Sequence, residues 1–175
     1  MNNKIEIHST RLLIREIQSS DVPAIFNYRS DALVNQYQGW IPEKLEEVKG
    51  FVEHKIAKEF NQLDTWFQLT IVIKESNELI GDVGLHFLEN EVVELGVTIA
   101  KKNHGKGYAT EALKAVIEYL FNKVDKQKIK ASVDPRNLAS IAMIEKLGFK
   151  KEAHFKKSFF LRGEWVDDVI YGLIK

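Results

Sequence analysis

The residues with the clearest chemical potential form a glycine-containing run, His104–Ala109, between the strand-like segment Val92–Ile99 and a helix-like segment that continues to about Asn122. Gly105 and Gly107 allow the backbone to turn tightly and to approach a ligand without an intervening Cβ. The first amides of a helix lack intrahelical partners and lie at the positive end of the helix dipole. The run therefore predicts a phosphate or pyrophosphate site, although a plain turn before a helix has the same pattern.

Other phosphate or nucleophile motifs fit this chain less well. The dinucleotide-binding fingerprint needs a third glycine at position 110, where Thr110 stands. No Gly-Lys-Ser/Thr closes the run, as a P-loop requires, and the Gly-x-Ser-x-Gly of an esterase elbow is absent. Lys101, Lys102 and Lys106 add positive charge beside the glycines, which favours an anionic ligand.

The composition restricts the function further. The 175 residues, 45% of them hydrophobic, suit a single domain over residues 1–175. Because 25 basic residues balance 25 acidic ones, nucleic acid is not expected as a partner. The absence of cysteine excludes disulfides, thiolate metal sites and a cysteine nucleophile. The five histidines are scattered without metal-ligand spacing, so we expect no bound metal.

Targeting signals are also missing from the printed sequence. Residues Met1–Glu6 lack the apolar stretch of a signal peptide, and no run approaches the ~20 apolar residues of a membrane helix. We therefore expect a cytoplasmic protein that does not interact with membranes. A homodimer is compatible with the sequence, which does not determine the oligomeric state.

Hydrophobic periodicity predicts the element order β α α β β β α β α β β. The predicted strands are 11–17, 66–74, 79–88, 91–99, 128–133, 149–161 and 165–174. The predicted helices are 19–30, 42–60, 109–122 and 137–147. The strands at 91–99 and 128–133 are joined by a helix, so they should be parallel neighbours in a sheet that is otherwise mainly antiparallel.

Several ordered motifs resemble the GNAT superfamily of acetyl-CoA-dependent N-acetyltransferases. His104-x-x-Gly107-x-Ala109 is similar to the family signature Gln/Arg-x-x-Gly-x-Gly/Ala, with histidine at the first position. The segment 137–149 resembles the second signature, and Glu94–Ile99 resembles the fourth strand. The segments 10–16 and 21–31 look like the branch that includes the ribosomal-protein N-terminal acetyltransferases.

The resemblance implies a fold and an activity. The fold is α/β (α+β), with a GNAT-like mixed, mainly antiparallel sheet of about seven strands flanked by about four helices. The implied activity moves an acetyl group from acetyl-CoA to a primary amine, either a protein N-terminus or a small molecule. Because the chain has no cysteine for an acetyl-enzyme, direct transfer within a ternary complex is expected.

The resemblance also implies residues that bind the co-substrate. The backbone of Val97, Thr98 and Ile99 would pair with the pantetheine amides, and Asn137 would hydrogen-bond the same arm, unless it serves only as a helix cap. The glycine run would hold the pyrophosphate through His104, Gly105, Lys106, Gly107, Tyr108, Ala109 and Thr110.

Two residues are predicted to be catalytic. Ser140 is the candidate for assisting the departing thiolate, because Ile144 stands where many family members carry a tyrosine. The alternative for Ser140 is a local backbone hydrogen bond in the first helical turn. Glu94 is the candidate base, because an ammonium must lose a proton before it attacks. The alternative for Glu94 is a structural carboxylate.

The acceptor site is less determined. Tyr37, Trp40 and Trp66 are the predicted substrate residues, and Phe160 and Trp165 are further aromatic candidates, although aromatic side chains at such places are more often core. Asp167 and Asp168 could attract a cationic amine, although carboxylates at such positions are more often simply solvated. A second function is a CoA-binding sensor without turnover, which the unusual His104 and Ile144 would favour.

Overall fold

The computed structural model describes residues 4–89 and 91–175 and contains one eight-stranded sheet with the order β1-β2-β3-β4-β5-β6-β8-β7. The strands are β1 (Glu6–His8), β2 (Leu12–Glu16), β3 (Thr65–Ile73), β4 (Glu78–Phe87), β5 (Val92–Ile99), β6 (Lys128–Val133), β7 (Lys150–Leu161) and β8 (Glu164–Ile174). The helices are α1 (Val22–Arg29), α2 (Leu45–Gly50), α3 (Tyr108–Asn122) and α4 (Leu138–Lys146). This mixed architecture confirms the predicted fold class.

The strand directions follow the prediction. Strands β5 and β6 are parallel and are connected by α3, whereas the other neighbouring pairs are antiparallel. A parallel pair requires a long crossover, and the helix after the glycine run supplies it. The predicted turn at 89–90 includes Asn90, which lies outside the described residues.

Two elements differ from the sequence prediction. The second helix was expected to reach Phe60, but α2 ends at Gly50 and continues only as a π-helical turn, Phe51–Lys55. The amide of Ala57 then donates to the carbonyl of Trp66 at 2.7 Å, which holds the following chain against β3. Phe60 reaches the core from this non-helical segment, so its helical spacing in the sequence was misleading. The additional strand is β1, in which only Ile7 is buried.

The two faces of the sheet have different environments. Helix α3 packs on one face through the predicted apolar stripe, in which Leu113, Val116 and Leu120 are fully buried. Helices α1 and α2 form a smaller apolar cluster, which contains Ile25 and Val48. Because successive side chains of a strand point to opposite faces, those of β3, β4 and β5 pack alternately toward one environment and the other.

A buried ionic network attaches α1 to β4. Asp82 is 2% exposed and accepts hydrogen bonds from Tyr28 Oη at 2.5 Å, Gln68 Nε2 at 2.6 Å and the guanidinium of Arg29. Burial and the carboxylate of Asp82 raise the pKa of Tyr28 well above its ordinary value. Burial alone would lower the pKa of Arg29, but Asp82 outweighs it and raises that pKa.

We predict that Asp82→Ala lowers the free energy of unfolding by about 3–5 kcal/mol, because it leaves a buried guanidinium without its counter-charge. Urea unfolding at neutral pH measures this change. Lys49→Ala is the control, because Lys49 forms an exposed pair with Glu53 at 4.0 Å, and its loss should cost under about 1 kcal/mol. Equal effects of the two substitutions would contradict the assigned role of the network.

Candidate active site

The site is a cleft that opens where β5 and β6 separate. Their parallel pairing covers only Val92–Glu94 and Lys128–Lys130. From Leu95 onward β5 is paired only on its other side, with β4. From Ala131 onward β6 is likewise paired only with β8. The sides of the two strands that would otherwise pair therefore face an open space.

Two cavities occupy this cleft. The larger, of about 550 Å³, lies against the end of β5 and the glycine run and is called here the donor cavity. The smaller, of about 290 Å³, lies beside Glu94 and β8 and is called the acceptor cavity. The two cavities meet, because six of the described residues line both of them: Tyr37, Gln38, Val97, Asn137, Ser140 and Met143.

The glycine run forms the tight turn that its sequence predicts. Gly105 and Gly107 have positive φ angles of 72° and 79°, and Gly107 is the N-cap of α3. The amides of the next three residues, 108–110, lie in the first helical turn, where no intrahelical acceptor exists. All three residues line the donor cavity. The turn therefore presents main-chain donors and the positive end of a helix dipole to that cavity.

A salt bridge between Arg11 and Glu111 stabilises the glycine turn. Glu111 accepts hydrogen bonds from Ser9 Oγ at 2.7 Å, from the amide of Arg11 at 2.7 Å and from Arg11 Nε at 2.6 Å. Arg11 also donates to the carbonyl of Lys106 at 3.1 Å and lies over the ring of Tyr108. These hydrogen bonds lower the pKa of Glu111, against the opposing effect of burial. Arg11 and Glu111 thus connect the start of β2 to the turn.

His104 has a structural partner that the sequence did not reveal. Its Nε2 lies 2.7 Å from the carbonyl oxygen of Ile99, at the end of β5. This hydrogen bond spans the connection between β5 and α3 and positions the turn beside the strand end. The neighbouring Lys106 donates to Asn103 at 3.3 Å and does not line the donor cavity, while Lys102 pairs with Glu78 at 2.8 Å.

Asn137 and Ser140 sit at the start of α4, on the opposite wall of the cleft. Asn137 Oδ1 accepts the amide of Ser140 at 3.2 Å, so the predicted helix cap is present. Capping orients the side chain with Oδ1 toward the helix and leaves Nδ2 as a donor. Ile144, one turn further along, is 2% exposed and completes the apolar floor of the acceptor cavity.

Glu94 is located at the point where the strands separate. It lies opposite His86 of the neighbouring strand β4, with 4.0 Å between His86 Nδ1 and Glu94 Oε2. The ring of His86 stacks on that of Trp66, with 4.8 Å between their centroids. Burial raises the pKa of Glu94 above that of an ordinary glutamate, and Asp168 adds to this increase. His86 and Lys130 oppose it. A carboxylate with a raised pKa is a better proton acceptor near neutral pH.

The aromatic residues predicted for the acceptor site are separated by the structure. Tyr37 and Trp66 line the acceptor cavity. Trp40 instead packs on Phe51, with 4.8 Å between ring centroids, and lines neither cavity, so its predicted substrate role receives no support. Phe160 and Trp165 contact each other on the exposed face of the hairpin, outside both linings.

Sequence reasoning missed several residues of this site. Phe159 and Ser132 line the acceptor cavity, and Gly96 leaves an open patch of sheet there, because a Cβ at this position would meet no atom within 4 Å. The alternation of side chains along β5 from Glu94 could have identified Gly96. Ser132 and Phe159 depend on the pairing of distant strands, for which the sequence carries no local signal.

Comparisons with known proteins identify the family. The model of the acetyltransferase (GNAT) domain matches residues 11–150. An uncharacterized N-acetyltransferase of Bacillus subtilis (strain 168), YnaD, is 30% identical, over 98% of both chains. A [ribosomal protein uS5]-alanine N-acetyltransferase of Escherichia coli (strain K12) is 26% identical, over 97% of this chain and 91% of its own.

Solved structures agree with this assignment. A GNAT-family acetyltransferase from Bacillus anthracis superposes with a TM-score of 0.86 at 29% identity, covering 97% of this chain and 98% of its own. RimL, a ribosomal L7/L12 alpha-N-protein acetyltransferase in complex with coenzyme A, superposes with a TM-score of 0.84 at 23% identity, covering 97% and 98%. The chain belongs to the GNAT acetyltransferase family and is an N-acetyltransferase.

No group of three or more histidine or acidic side chains in residues 4–89 and 91–175 is arranged to hold a metal ion. Within the same ranges, no helix is both long and apolar enough to cross a membrane.

We predict that Gly107→Ala lowers the free energy of unfolding by about 1–2 kcal/mol, because alanine disfavours a positive φ. Gly50→Ala is the matched control, since Gly50 has a helical φ of −60° and open space around its Cα. That substitution should be neutral or stabilise the fold by about 0.5–1 kcal/mol. Denaturant unfolding of both variants makes the comparison, and a neutral Gly107→Ala would contradict the assigned turn geometry.

Proposed function

We propose that this chain transfers an acetyl group from acetyl-CoA directly to a primary amine, with both substrates bound in the cleft, and that residues 1–175 act as one catalytic domain. The observation that carries this proposal is the meeting of the donor and acceptor cavities at Val97, Asn137 and Ser140. Two ligands that enter from opposite ends would bring their reacting groups together there. Holding two substrates in this way provides much of the rate acceleration of a two-substrate reaction.

The donor cavity fits the chemistry of acetyl-CoA. The main-chain donors around Gly107 and the N-terminus of α3 suit a pyrophosphate. The side of Leu95–Thr98 that faces away from β4 has no strand beside it, so its amides and carbonyls can pair with the amides of a pantetheine arm. Asn137 Nδ2 would donate to the same arm, because Oδ1 is occupied by the helix cap.

The residues of the cleft can perform the proton transfers. Acetyl-CoA supplies an activated acyl group as a thioester. Glu94 would accept the proton of the attacking ammonium, directly or through water, and the hydroxyl of Ser140 would donate a hydrogen bond to the departing sulfur. A main-chain amide near Val97 would stabilise negative charge that develops on the acyl oxygen. The chain contains no cysteine to form an acetyl-enzyme, so the amine attacks directly.

Two measurements test the proposal. Isothermal titration with acetyl-CoA should show binding to the folded protein, and thiol release over a panel of primary amines should show turnover. Absence of binding would overturn the placement of acetyl-CoA. Binding without turnover on any amine would favour the second function, a CoA-binding sensor, to which His104 and Ile144 point.

We predict that Gly107→Glu abolishes acetyl-CoA binding, because its side chain adds bulk and negative charge at the predicted pyrophosphate site. Titration calorimetry measures the loss, and circular dichroism confirms that the variant is folded. Gly50→Glu adds the same charge on α2 and should keep wild-type affinity. Unchanged affinity of a folded Gly107→Glu protein would exclude this turn as the binding site.

We predict that Glu94→Gln lowers kcat about 100-fold while acetyl-CoA affinity stays unchanged. A base must be deprotonated to act, so kcat of the wild type should fall as the pH is lowered and give an acid limb in the pH profile. The apparent pKa of this limb should lie above that of an ordinary glutamate, because burial raises the pKa of Glu94. This limb should disappear in Glu94→Gln and persist in the control Glu91→Gln. A variant that retains the acid limb would assign the proton transfer to another group.

A further inference from the structure

The acceptor cavity is bridged on its outer side. Arg162, at the tip of the β7–β8 hairpin, donates to the carbonyl of Asn35 at 3.3 Å and to the carbonyl of Gln36. The side-chain amide of Asn35 donates to three carbonyls of the preceding segment, those of Tyr28, Arg29 and Asp31, at 2.7–3.1 Å. The connection between α1 and α2 is therefore held firmly where the hairpin contacts it.

Two further contacts extend this bridge. Tyr37 Oη donates to the carbonyl of Arg136 at 3.3 Å, and the guanidinium of Arg136 lies 5.9 Å from the Tyr37 ring centroid. A Cβ built at Gly39 would lie 3.6 Å from Phe159 on the hairpin. Tyr37, Gly39 and Phe159 all line the cavity, so the connection and the hairpin meet over it.

The acceptor cavity is small. Its volume of about 290 Å³ is at the small end of ligand pockets, which range over about 300–1,000 Å³. An amine at the end of a protein chain would need an open exit for the residues that follow it. A small molecule needs no such exit.

The charges that line the cavity have one sign. Among its described lining residues are four carboxylates and no lysine or arginine. Asp134 is paired with Arg136 at 2.7 Å, and Asp167 with His154 at 2.7 Å. The two remaining carboxylates are those of Glu94 and Asp168.

Neither of these two carboxylates has a lysine or arginine partner in the lining. Asp168 accepts a hydrogen bond from Ser132 Oγ at 2.6 Å, and it raises the pKa of Glu94 through like-charge repulsion. His86 faces Glu94 from β4, and Lys130 faces it from β6 without lining the cavity. The lining of the acceptor cavity thus includes two negative groups that a cationic ligand would stabilise.

We propose that the acceptor is a small amine that carries a second positive charge, with its reacting amine at Glu94 and its second cation at Asp168. This inference rests on the proposed acetyl transfer and specifies its substrate class. Alkyl amines have a pKa of about 10.4, so both nitrogens of a diamine arrive protonated at neutral pH. The reacting ammonium loses one proton to Glu94, and the neutral amine forms the bond to the acetyl carbon. The carbon–sulfur bond then breaks, and a second proton passes from the same nitrogen to the departing sulfur, through water or the Ser140 hydroxyl, so that an amide and a thiol are released and Glu94 gives its proton to solvent. The second nitrogen stays charged.

The test compares matched acceptors by thiol release. We measure kcat/KM for 1,5-diaminopentane, for pentylamine, which has the same chain length, and for a short peptide with a free N-terminus. The wild type should prefer the diamine over the monoamine by about tenfold, the ratio that a single partly screened charge pair of about 1.4 kcal/mol provides. It should use the peptide least.

The Asp168→Asn variant tests whether Asp168 binds the second cation of the acceptor. Asparagine retains an acceptor for Ser132, so the local hydrogen bond survives. The diamine should then be preferred over the monoamine by no more than about twofold, because the contact is no longer charged. The ratio of diamine to monoamine is the readout, because any change in the base Glu94 affects both substrates equally. The control Glu59→Gln removes one exposed charge elsewhere and should keep the preference.

Other outcomes would overturn the inference. Equal kcat/KM values for diamine and monoamine, an unchanged preference in folded Asp168→Asn, or a peptide as the best acceptor would each reject it while leaving acetyl transfer intact. Acetyl-CoA binding without turnover on any amine would reject both proposals together. Arg162→Ala should raise the peptide-to-diamine ratio by opening the bridge, and an unchanged ratio would reject the enclosure argument.

Discussion

The constraint on which the site depends is the early end of the pairing between β5 and β6. After Glu94 and Lys130 the two parallel strands separate, and each keeps only the antiparallel neighbour on its other side, β4 for β5 and β8 for β6. A central strand is thereby left with polar main-chain groups that face a cleft, and unpaired groups of this kind are costly unless water or a ligand satisfies them. The proposed binding of a pantetheine arm along β5 would use this unpaired edge.

The rest of the fold supports that cleft from several sides. Arg11 and Glu111 connect β2 to the glycine turn, and His104 connects the turn to the end of β5. The Asp82 network fixes α1 on the sheet, and Arg162 then holds the connection that follows α1 against the hairpin. Both sides of the cleft are therefore shaped by hydrogen bonds between segments far apart in the chain, from Arg11 to Lys106 on the donor side and from Arg162 to Asn35 on the acceptor side.

Local patterns predicted much of this correctly. The crossover helix, the parallel pair and the closing hairpin follow from periodicity and turn residues, because these depend on neighbouring residues. The second helix was predicted too long, because Phe60 is partly buried through its contacts with Phe67 and Phe87 rather than through a helical face. Trp40 illustrates the same limit, since an aromatic residue in a loop can pack on a helix as readily as it can line a site.

The sequence by itself determined the family, the glycine turn and the candidate residues of the cleft, since ordered motifs and backbone requirements are properties of local residue types. Tertiary structure decided which of these residues meet. It brought Glu94 and Asp168 into the lining of one cavity, it bridged the outer side of that cavity with a loop and a hairpin more than 100 residues apart, and it placed Trp40 outside. The physical reason is that strand pairing and loop docking depend on long-range contacts, which residue spacing along one segment does not encode.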